Sequence, residues 1–155
     1  MDRNFGWCAN IFLFLKVSWV TSSEYWIITK YSRRYFCGSK YKKETRIDGK
    51  IVIITGANTG LGFANAVDYA SRGGKIYVAC RDKKRGEDAV KEIIKQSGSE
   101  NVHFQPLDLA SLDSIREFVK KFKTLEKKLD ILVNNAGIYG CLKSFTKDGF
   151  EMQMG

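Results

Sequence analysis

The chain has 155 residues, of which 44% are apolar and 28% charged, and its formal net charge is +9. This length suits one domain with a single hydrophobic core, and the composition excludes a fibrous or wholly disordered chain. Four cysteines without a C-x-x-C pair and a single histidine argue against zinc, so no metal site is predicted.

The first 48 residues read as a basic, partly apolar leader. Nine Lys and Arg and four Asp and Glu lie between Met1 and Asp48, which places +5 of the net charge there. The apolar run Ile11–Val20 contains Lys16 and falls short of the roughly 20 apolar residues that a spanning helix needs. A leader that lies on a membrane surface is one expectation, and a solvated leader is the alternative. The aromatic residues that would lie at the membrane interface are Trp7, Trp19, Tyr25 and Trp26.

From Gly49 onward, short β-branched runs alternate with amphipathic segments. The predicted strands are Ile51–Ile54, Ile76–Cys80, Val102–Gln105 and Ile131–Val133. The predicted helices are Leu61–Arg72, Lys83–Gln96 and Leu112–Leu125, the last capped by Ser111. This alternation predicts βαβ units and an α/β fold, a Rossmann-like doubly wound parallel sheet in three layers, truncated after about the fourth strand. The expected strand order is 3-2-1-4, with a ligand crevice at the carboxyl ends of strands 1 and 4.

A glycine-rich loop, Thr55–Gly62, joins the first strand to the first helix and reads T-G-A-N-T-G-L-G. Glycines there let backbone N–H groups approach a phosphate, and the helix dipole attracts its negative charge. The spacing G-x-x-x-G-x-G differs from the more familiar G-x-G-x-x-G. Its place between a buried strand and an amphipathic helix predicts phosphate binding, and a merely flexible turn is the alternative.

Three motifs in this order resemble the short-chain dehydrogenase/reductase family. The glycine loop is similar to the family's cofactor loop, and Asp108-Leu109 matches an Asp that contacts adenine. Asn134–Gly137 reads N-N-A-G, the family's motif after its fourth strand. Ala79–Asp82 and Thr146–Met152 are further similar to the retinol dehydrogenase-like branch. The predicted cofactor-binding residues are Gly56, Ala57, Asn58, Thr59, Gly60, Leu61, Gly62, Arg81, Asp108, Leu109, Asn135, Ala136 and Gly137.

Two of these assignments have alternatives. Asp108 would otherwise cap the following turn, and the Asn134-Asn135 pair would otherwise hold neighbouring strands together. Phe63 stands where relatives often have a lysine, which removes one phosphate contact.

The end of the second strand bears on the choice between NADP and NAD. An NAD site places an acid there to hold both ribose hydroxyls, and Cys80 occupies that position. Arg81 follows and suits a 2′-phosphate through a charge-assisted fork. NADP is therefore predicted, with NAD as the less favoured cofactor. The alternative is that Arg81 is a solvated charge and Asp82 takes the ribose.

Hydride transfer in the family uses an Asn, a Ser and a Tyr-x-x-x-Lys pair, all beyond N-N-A-G. Tyr139 and Lys143 have that spacing but follow N-N-A-G immediately, and no catalytic role is predicted for them. The sequence thus predicts a leader (1–48) and an NADP-binding half-domain (49–155), with the catalytic half absent and no catalytic residues present.

The resemblance implies an NADP-dependent oxidoreductase that interconverts small-molecule alcohols with aldehydes or ketones, here as an N-terminal fragment. The alternative is a non-catalytic nucleotide-binding or regulatory protein that ends at Gly155. Nucleic-acid binding is not expected, because the basic residues gather in the leader without an accompanying motif. A membrane-associated, cytosol-facing protein is expected at the endoplasmic reticulum, with mitochondrion or cytoplasm as alternatives.

Overall fold

A computed structural model describes residues 45–154 as a parallel sheet with helices on both faces. These residues fall within one unit of the chain, Glu44–Gly155. The elements in chain order are β1 (Ile51–Thr55), α1 (Gly60–Ser71), β2 (Lys75–Cys80), α2 (Lys83–Ser97), β3 (Val102–Pro106), α3 (Leu112–Leu125) and β4 (Ile131–Val133). Residues 1–44 of the leader, and with them its expected membrane contact, lie outside the described residues. Within 45–154, no helix is both long enough and apolar enough to cross a membrane.

The sheet has the strand order β3-β2-β1-β4, and every pairing in it is parallel, which confirms the predicted Rossmann-like fold. At the carboxyl ends, Thr55 pairs with Ala79, and Cys80 pairs with Pro106. Ile54 pairs with Val133 on the other side of β1. The loops that follow all four strands therefore leave the sheet at one edge, and this edge carries the site.

Alternating residues of the strands pack into two hydrophobic clusters, one on each face. Val52, Ile54, Ile76 and Val78 pack with α1 and α2, whereas Ile51, Ile53, Tyr77 and Ala79 pack with α3. The β-branched runs are needed because these strands are buried on both faces. All five residues of β1 are buried.

The three helices begin differently. Asp82 caps α2 by accepting the N–H of Arg85 at 3.0 Å, and Ser111 caps α3 by accepting the N–H of Ser114 at 3.4 Å. Thr59 occupies the same position before α1, but its side chain makes no capping hydrogen bond. Since the first N–H groups of a helix have no partner within it, those of α1 are left for another acceptor.

At the opposite edge of the sheet, Asp130 joins the starts of β1 and β4. Its carboxylate accepts the N–H of Ile51 at 2.9 Å and pairs with Lys50 at 3.3 Å and Lys128 at 3.2 Å. The backbone hydrogen bond, assisted by the two lysines, lowers the pKa of Asp130 to about 2. The carboxylate is therefore ionised at neutral pH, where it holds the two strands together.

An apolar groove of about 450 Å³ lies beside α3 and β4. Its wall includes Ile53, Phe118, Leu129 and Leu132, and Leu132 is 53% exposed although it belongs to a strand. Lysines border the groove at Lys123, Lys127 and Lys128. Among the described residues, β4 pairs only with β1, so its other edge has no strand partner there.

Candidate functional site

A cleft of about 270 Å³ opens at the carboxyl edge of the sheet. Four of the segments that line it directly follow β1, β2, β3 and β4, and the fifth is the chain around Met152. This is the crevice that the strand order predicts for a doubly wound sheet. Its lining residues are Thr55, Gly56, Asn58, Ala79, Cys80, Arg81, Leu107, Asp108, Leu109, Ala110, Ala136, Gly137, Ile138, Met152 and Gln153.

The glycine loop has the tight geometry that only glycine permits. Gly56 and Gly60 have φ values of +65° and +63°, in the left-handed region that favours glycine. A Cβ atom on Gly62 would collide with the Asn135 amide nitrogen and would lie 2.9 Å from the oxygen of Gly56. The helix can therefore start close to the end of β4 only because residue 62 has no side chain.

The amino end of α1 suits an anion. Its cap position offers no side-chain acceptor, and its first turn contains no acidic residue. The helix dipole adds positive potential at that end. The positive-φ glycines on either side of Asn58 turn the chain tightly against the cleft, so the loop fits a pyrophosphate.

A hydroxyl at the end of β1 fixes the segment that follows β4. Thr55 Oγ1 accepts the N–H groups of Asn135 at 3.0 Å and Ala136 at 2.9 Å. The amide of Asn135 donates to the carbonyl oxygens of Thr55 at 2.9 Å and Gly56 at 3.4 Å. Asn135 thus joins the two strand ends, whereas Ala136 and Gly137 face the cleft.

The end of β2 presents a neutral thiol and the Arg81 guanidinium to the cleft. Burial, followed by the negative charge of Asp82, raises the pKa of the Cys80 thiol, so it carries no charge at neutral pH. Arg81 is exposed and lines the cleft. Asp82 does not line it, because its carboxylate caps α2 and pairs with Arg85 Nε at 3.6 Å.

The segment after β3 forms a further wall of the cleft. Asp108 is half-buried, and its Oδ1 accepts the N–H of Ala110 at 3.0 Å. Leu109 is 42% exposed and offers an apolar surface to the cleft. Asp108 therefore stabilises the following turn and also reaches the cleft, while the cap of α3 is Ser111.

The predicted site residues divide into two groups. Those that line the cleft are Gly56, Asn58, Arg81, Asp108, Leu109, Ala136 and Gly137. Those that do not are Ala57, Thr59, Gly60, Leu61, Gly62 and Asn135. Ala57 and Gly62 are buried beneath the loop, Leu61 is 74% exposed, and Asn135 joins the strand ends.

Sequence reasoning missed part of the lining. Thr55, Leu107 and Ala110 adjoin residues that it did select, and the position of Thr55 and Leu107 at strand ends is a signal that would have found these two. Met152 and Gln153 give no such signal, since they reach the cleft from a loop far along the chain. Phe63 packs partly buried against the core on the α1 side.

Tyr139 and Lys143 lie in an irregular segment after β4, not on a helix. The Tyr139 side chain is fully exposed. Within the described range, no group of three or more His, Cys, Asp or Glu is arranged to hold a metal ion.

Comparison with known proteins identifies the family. The sequence model for the family described as short chain dehydrogenase matches residues 50–154. The chain belongs to this family. Mouse retinol dehydrogenase 12 (Mus musculus) is 46% identical over 79% of this chain and 39% of its own length. Human retinol dehydrogenase 13 (Homo sapiens) is 48% identical over 78% of this chain and 37% of its own length. The chain thus spans about two fifths of the length of the curated relatives it matches.

Solved structures show the same fold. L-sorbose reductase from Gluconobacter frateurii, complexed with NADPH and L-sorbose, aligns with a TM-score of 0.58 and 30% identity over 63% of this chain and 37% of that one. Menthone neomenthol reductase from Mentha piperita aligns with a TM-score of 0.56 and 42% identity over 59% of this chain and 33% of that one. Members of the family bind a nicotinamide dinucleotide, which agrees with the position of the cleft at the carboxyl ends of the strands.

Proposed function

We propose that the protein is an NADP-dependent oxidoreductase of the retinol dehydrogenase-like type, of which this chain forms the cofactor-binding half. The observation that carries the proposal is the cleft, which gathers Gly56 and Asn58 of the glycine loop, Arg81, Asp108 and the Ala136-Gly137 pair at one edge of the sheet. Relatives named retinol dehydrogenase support a small-molecule alcohol, aldehyde or ketone as substrate.

Each wall of the cleft suits one part of NADP. The amino end of α1 and Asn58 would hold the pyrophosphate, and Arg81 the 2′-phosphate. Asp108 and Leu109 would hold the adenine, while Ala136 and Gly137 would let a ribose lie close to the end of β4. When bound, the cofactor supplies or accepts a hydride at its nicotinamide ring. The residues of this chain bind and orient it.

The surroundings of Asp82 support NADP over NAD. An acid that holds a ribose must present its carboxylate to the cleft, but that of Asp82 accepts the Arg85 N–H and pairs with the Arg85 guanidinium. The Cys80 thiol, kept neutral by burial, does not replace it. Arg81 is then the charged residue at the end of β2 that faces the cofactor. A cation there favours the phosphorylated ribose of NADP over the unphosphorylated ribose of NAD.

Titration of the full chain with NADPH and NADH tests the cofactor proposal. We expect tighter binding of NADPH, and Arg81→Ala should weaken NADPH by roughly tenfold or more while leaving NADH nearly unchanged. Lys83→Ala is the matched control, because Lys83 is also exposed near the start of α2 but pairs with Glu87 outside the cleft. Equal affinity for the two cofactors, or an NADH preference, would disprove the NADP assignment.

A second candidate is a non-catalytic nucleotide-binding or regulatory protein. It is favoured by the placement of Tyr139 and Lys143, which have the Tyr-x-x-x-Lys spacing but lie on no helix. Both candidates predict that the purified chain binds NADPH without reducing retinal, and measurable aldehyde reduction by the chain alone would exclude the second. The two separate when the transcript is sequenced beyond codon 155: an in-frame Ser and Tyr-x-x-x-Lys supports the oxidoreductase, and a stop codon supports the second candidate.

We further propose that the basic leader contacts a membrane surface, with the cofactor domain facing the cytosol at the endoplasmic reticulum. The charge of +5 between Met1 and Asp48 supports attraction to anionic lipid. The full chain should sediment with phosphatidylserine vesicles and be released by salt. Equal recovery in the supernatant with and without vesicles would contradict this proposal.

A further inference from the structure

The wall of the cleft that follows β3 is held from outside by residues to which no function has been assigned so far. Asp108 donates its N–H to the hydroxyl of Ser114, in the first turn of α3, at 3.0 Å. Leu112, the first residue of α3, donates its N–H to the Asp148 carboxylate at 2.8 Å. The segment 108–112 is therefore fixed at its first backbone N–H by Ser114 and at its last by Asp148.

Asp148 belongs to a tight loop. Thr146 and Phe150 close this loop, because the Thr146 N–H donates to the Phe150 oxygen at 2.7 Å and its hydroxyl accepts the Phe150 N–H at 3.1 Å. Thr146 is buried, and Gly149 has a φ of +85°, which lets the chain reverse. The loop is thus an ordered platform for the Asp148 carboxylate. A second contact runs beside it, from the Lys147 N–H to the Ala110 oxygen at 3.4 Å.

The same chain segment continues into the cleft. Met152 and Gln153 line the cleft, and the Gln153 side chain accepts the N–H of Gly140 at 3.2 Å. The loop at 146–150 therefore connects the wall after β3 with the wall after β4.

We propose that Ser114 and Asp148 are positioning residues that set the recognition of the adenine base through Asp108. The inference rests on the proposed function, in which Asp108 faces the adenine. Asp108 Oδ1 is already engaged by the Ala110 N–H, and Oδ2 takes part in no hydrogen bond with the described residues. The direction of Oδ2 is set by the turn 108–112, and that turn is held by Ser114 and Asp148. An adenine 6-amino group donates to such an oxygen, whereas an oxygen at position 6 can only accept and therefore makes no hydrogen bond with the carboxylate.

The test compares the affinity of the full chain for NADPH and for its hypoxanthine analogue, in which oxygen replaces the 6-amino group. We expect the wild-type chain to prefer NADPH by roughly tenfold, the size of one hydrogen bond to a charged group. Asp148→Ala and Ser114→Ala should each bring this preference close to unity. Asp148→Asn should largely restore it, because the amide oxygen still accepts the Leu112 N–H. A general loss of stability would weaken the binding of both ligands alike and leave the ratio of their affinities unchanged.

Asp113→Asn is the matched control. Asp113 lies in the same first turn of α3 but is exposed and pairs with Arg116 at 2.8 Å, so its removal should keep the wild-type preference. If Asp148→Ala and Ser114→Ala both retain the wild-type preference, the inference is overturned while the cofactor proposal stands. A wild-type chain that binds both ligands equally would overturn the role of Asp108 and the inference together. A chain that binds neither would disprove the proposed function itself.

Discussion

At the residue scale, Gly62 is a position where the absence of a side chain affects the stability of the fold. Alanine is the better helix former by about 1 kcal/mol, so a Gly→Ala change inside α1 would ordinarily stabilise the protein. At position 62 the added Cβ would meet the Asn135 amide, and it would lie 2.9 Å from the oxygen of Gly56 and 3.0 Å from Ala57 Cα. Two of these three atoms belong to the backbone of the glycine loop, which cannot retreat as a flexible side chain does.

We therefore expect Gly62→Ala to lower the free energy of unfolding by about 1–2 kcal/mol, because overpacking outweighs helix propensity. Urea denaturation measures the change. Gly137→Ala is a suitable control, since its Cβ would meet no atom within 4 Å and its φ is not positive. The control should stay within about 0.5 kcal/mol of the wild type. A Gly62→Ala protein as stable as the wild type would show that the loop tolerates the side chain.

At the scale of elements, Asp130 makes the pairing of β1 with β4 depend on pH. Its pKa is about 2 in the folded chain against an ordinary 3.8, mainly because it accepts the Ile51 N–H. A lowered pKa means that the carboxylate stabilises the fold above about pH 4. This contribution is lost as pH falls towards 2.

Asp130→Asn should therefore unfold at a lower urea concentration than the wild type at pH 7. The difference between the two proteins should shrink as the pH is lowered from about 4 to 2. Asp113→Asn, which removes an exposed acid of α3, should show neither effect. A difference that stays constant with pH would mean that the charge of Asp130 contributes nothing.

The type of an element could be predicted from the sequence where a single residue pattern determines it. The β-branched run of β1 and the apolar spacing in α3 gave the type of each element, and the alternation of strands with helices gave the strand order. The strand ends then located Arg81 and Asp108 in the cleft. The state of the α1 cap could not be predicted in this way. Threonine is a common capping residue, but the Thr59 side chain makes no capping hydrogen bond to the first N–H groups of α1.

The remaining parts of the site depend on contacts between distant residues. The Asp148–Leu112 hydrogen bond joins residues 36 positions apart, and no local pattern around Asp148 indicates its partner. Met152 reaches the cleft in the same way, through the closed loop before it. Only the folded chain brings these groups together, so composition and periodicity did not reveal them.

At the scale of the whole molecule, the two faces of the sheet are covered unequally by the residues that the structure describes. Within 45–154, two helices cover one face, whereas the other carries α3 and the apolar groove beside β4. An exposed apolar patch next to an unpaired strand edge favours association between chains.

We expect the 155-residue chain to self-associate with increasing concentration, and Leu132→Lys to reduce this association by placing a charge on the exposed side of β4. Light scattering during size-exclusion chromatography measures the extent of this association. Leu142→Lys adds the same charge at a residue that is 91% exposed but outside the groove, and it should associate as the wild type does. If both variants remain as associated as the wild type, the groove is not the contact surface.

The Thr55 hydroxyl has a consequence for the thermodynamics of binding. It joins the end of β1 to the backbone of Asn135 and Ala136, and with the Asn135 amide it fastens two walls of the cleft to each other. The width between them is set when the sheet folds, before any ligand arrives. Binding there orders little of the chain, and less conformational entropy is lost than in a site whose walls close on the ligand. Removing the hydroxyl would therefore appear in calorimetry chiefly as a less favourable entropy of binding.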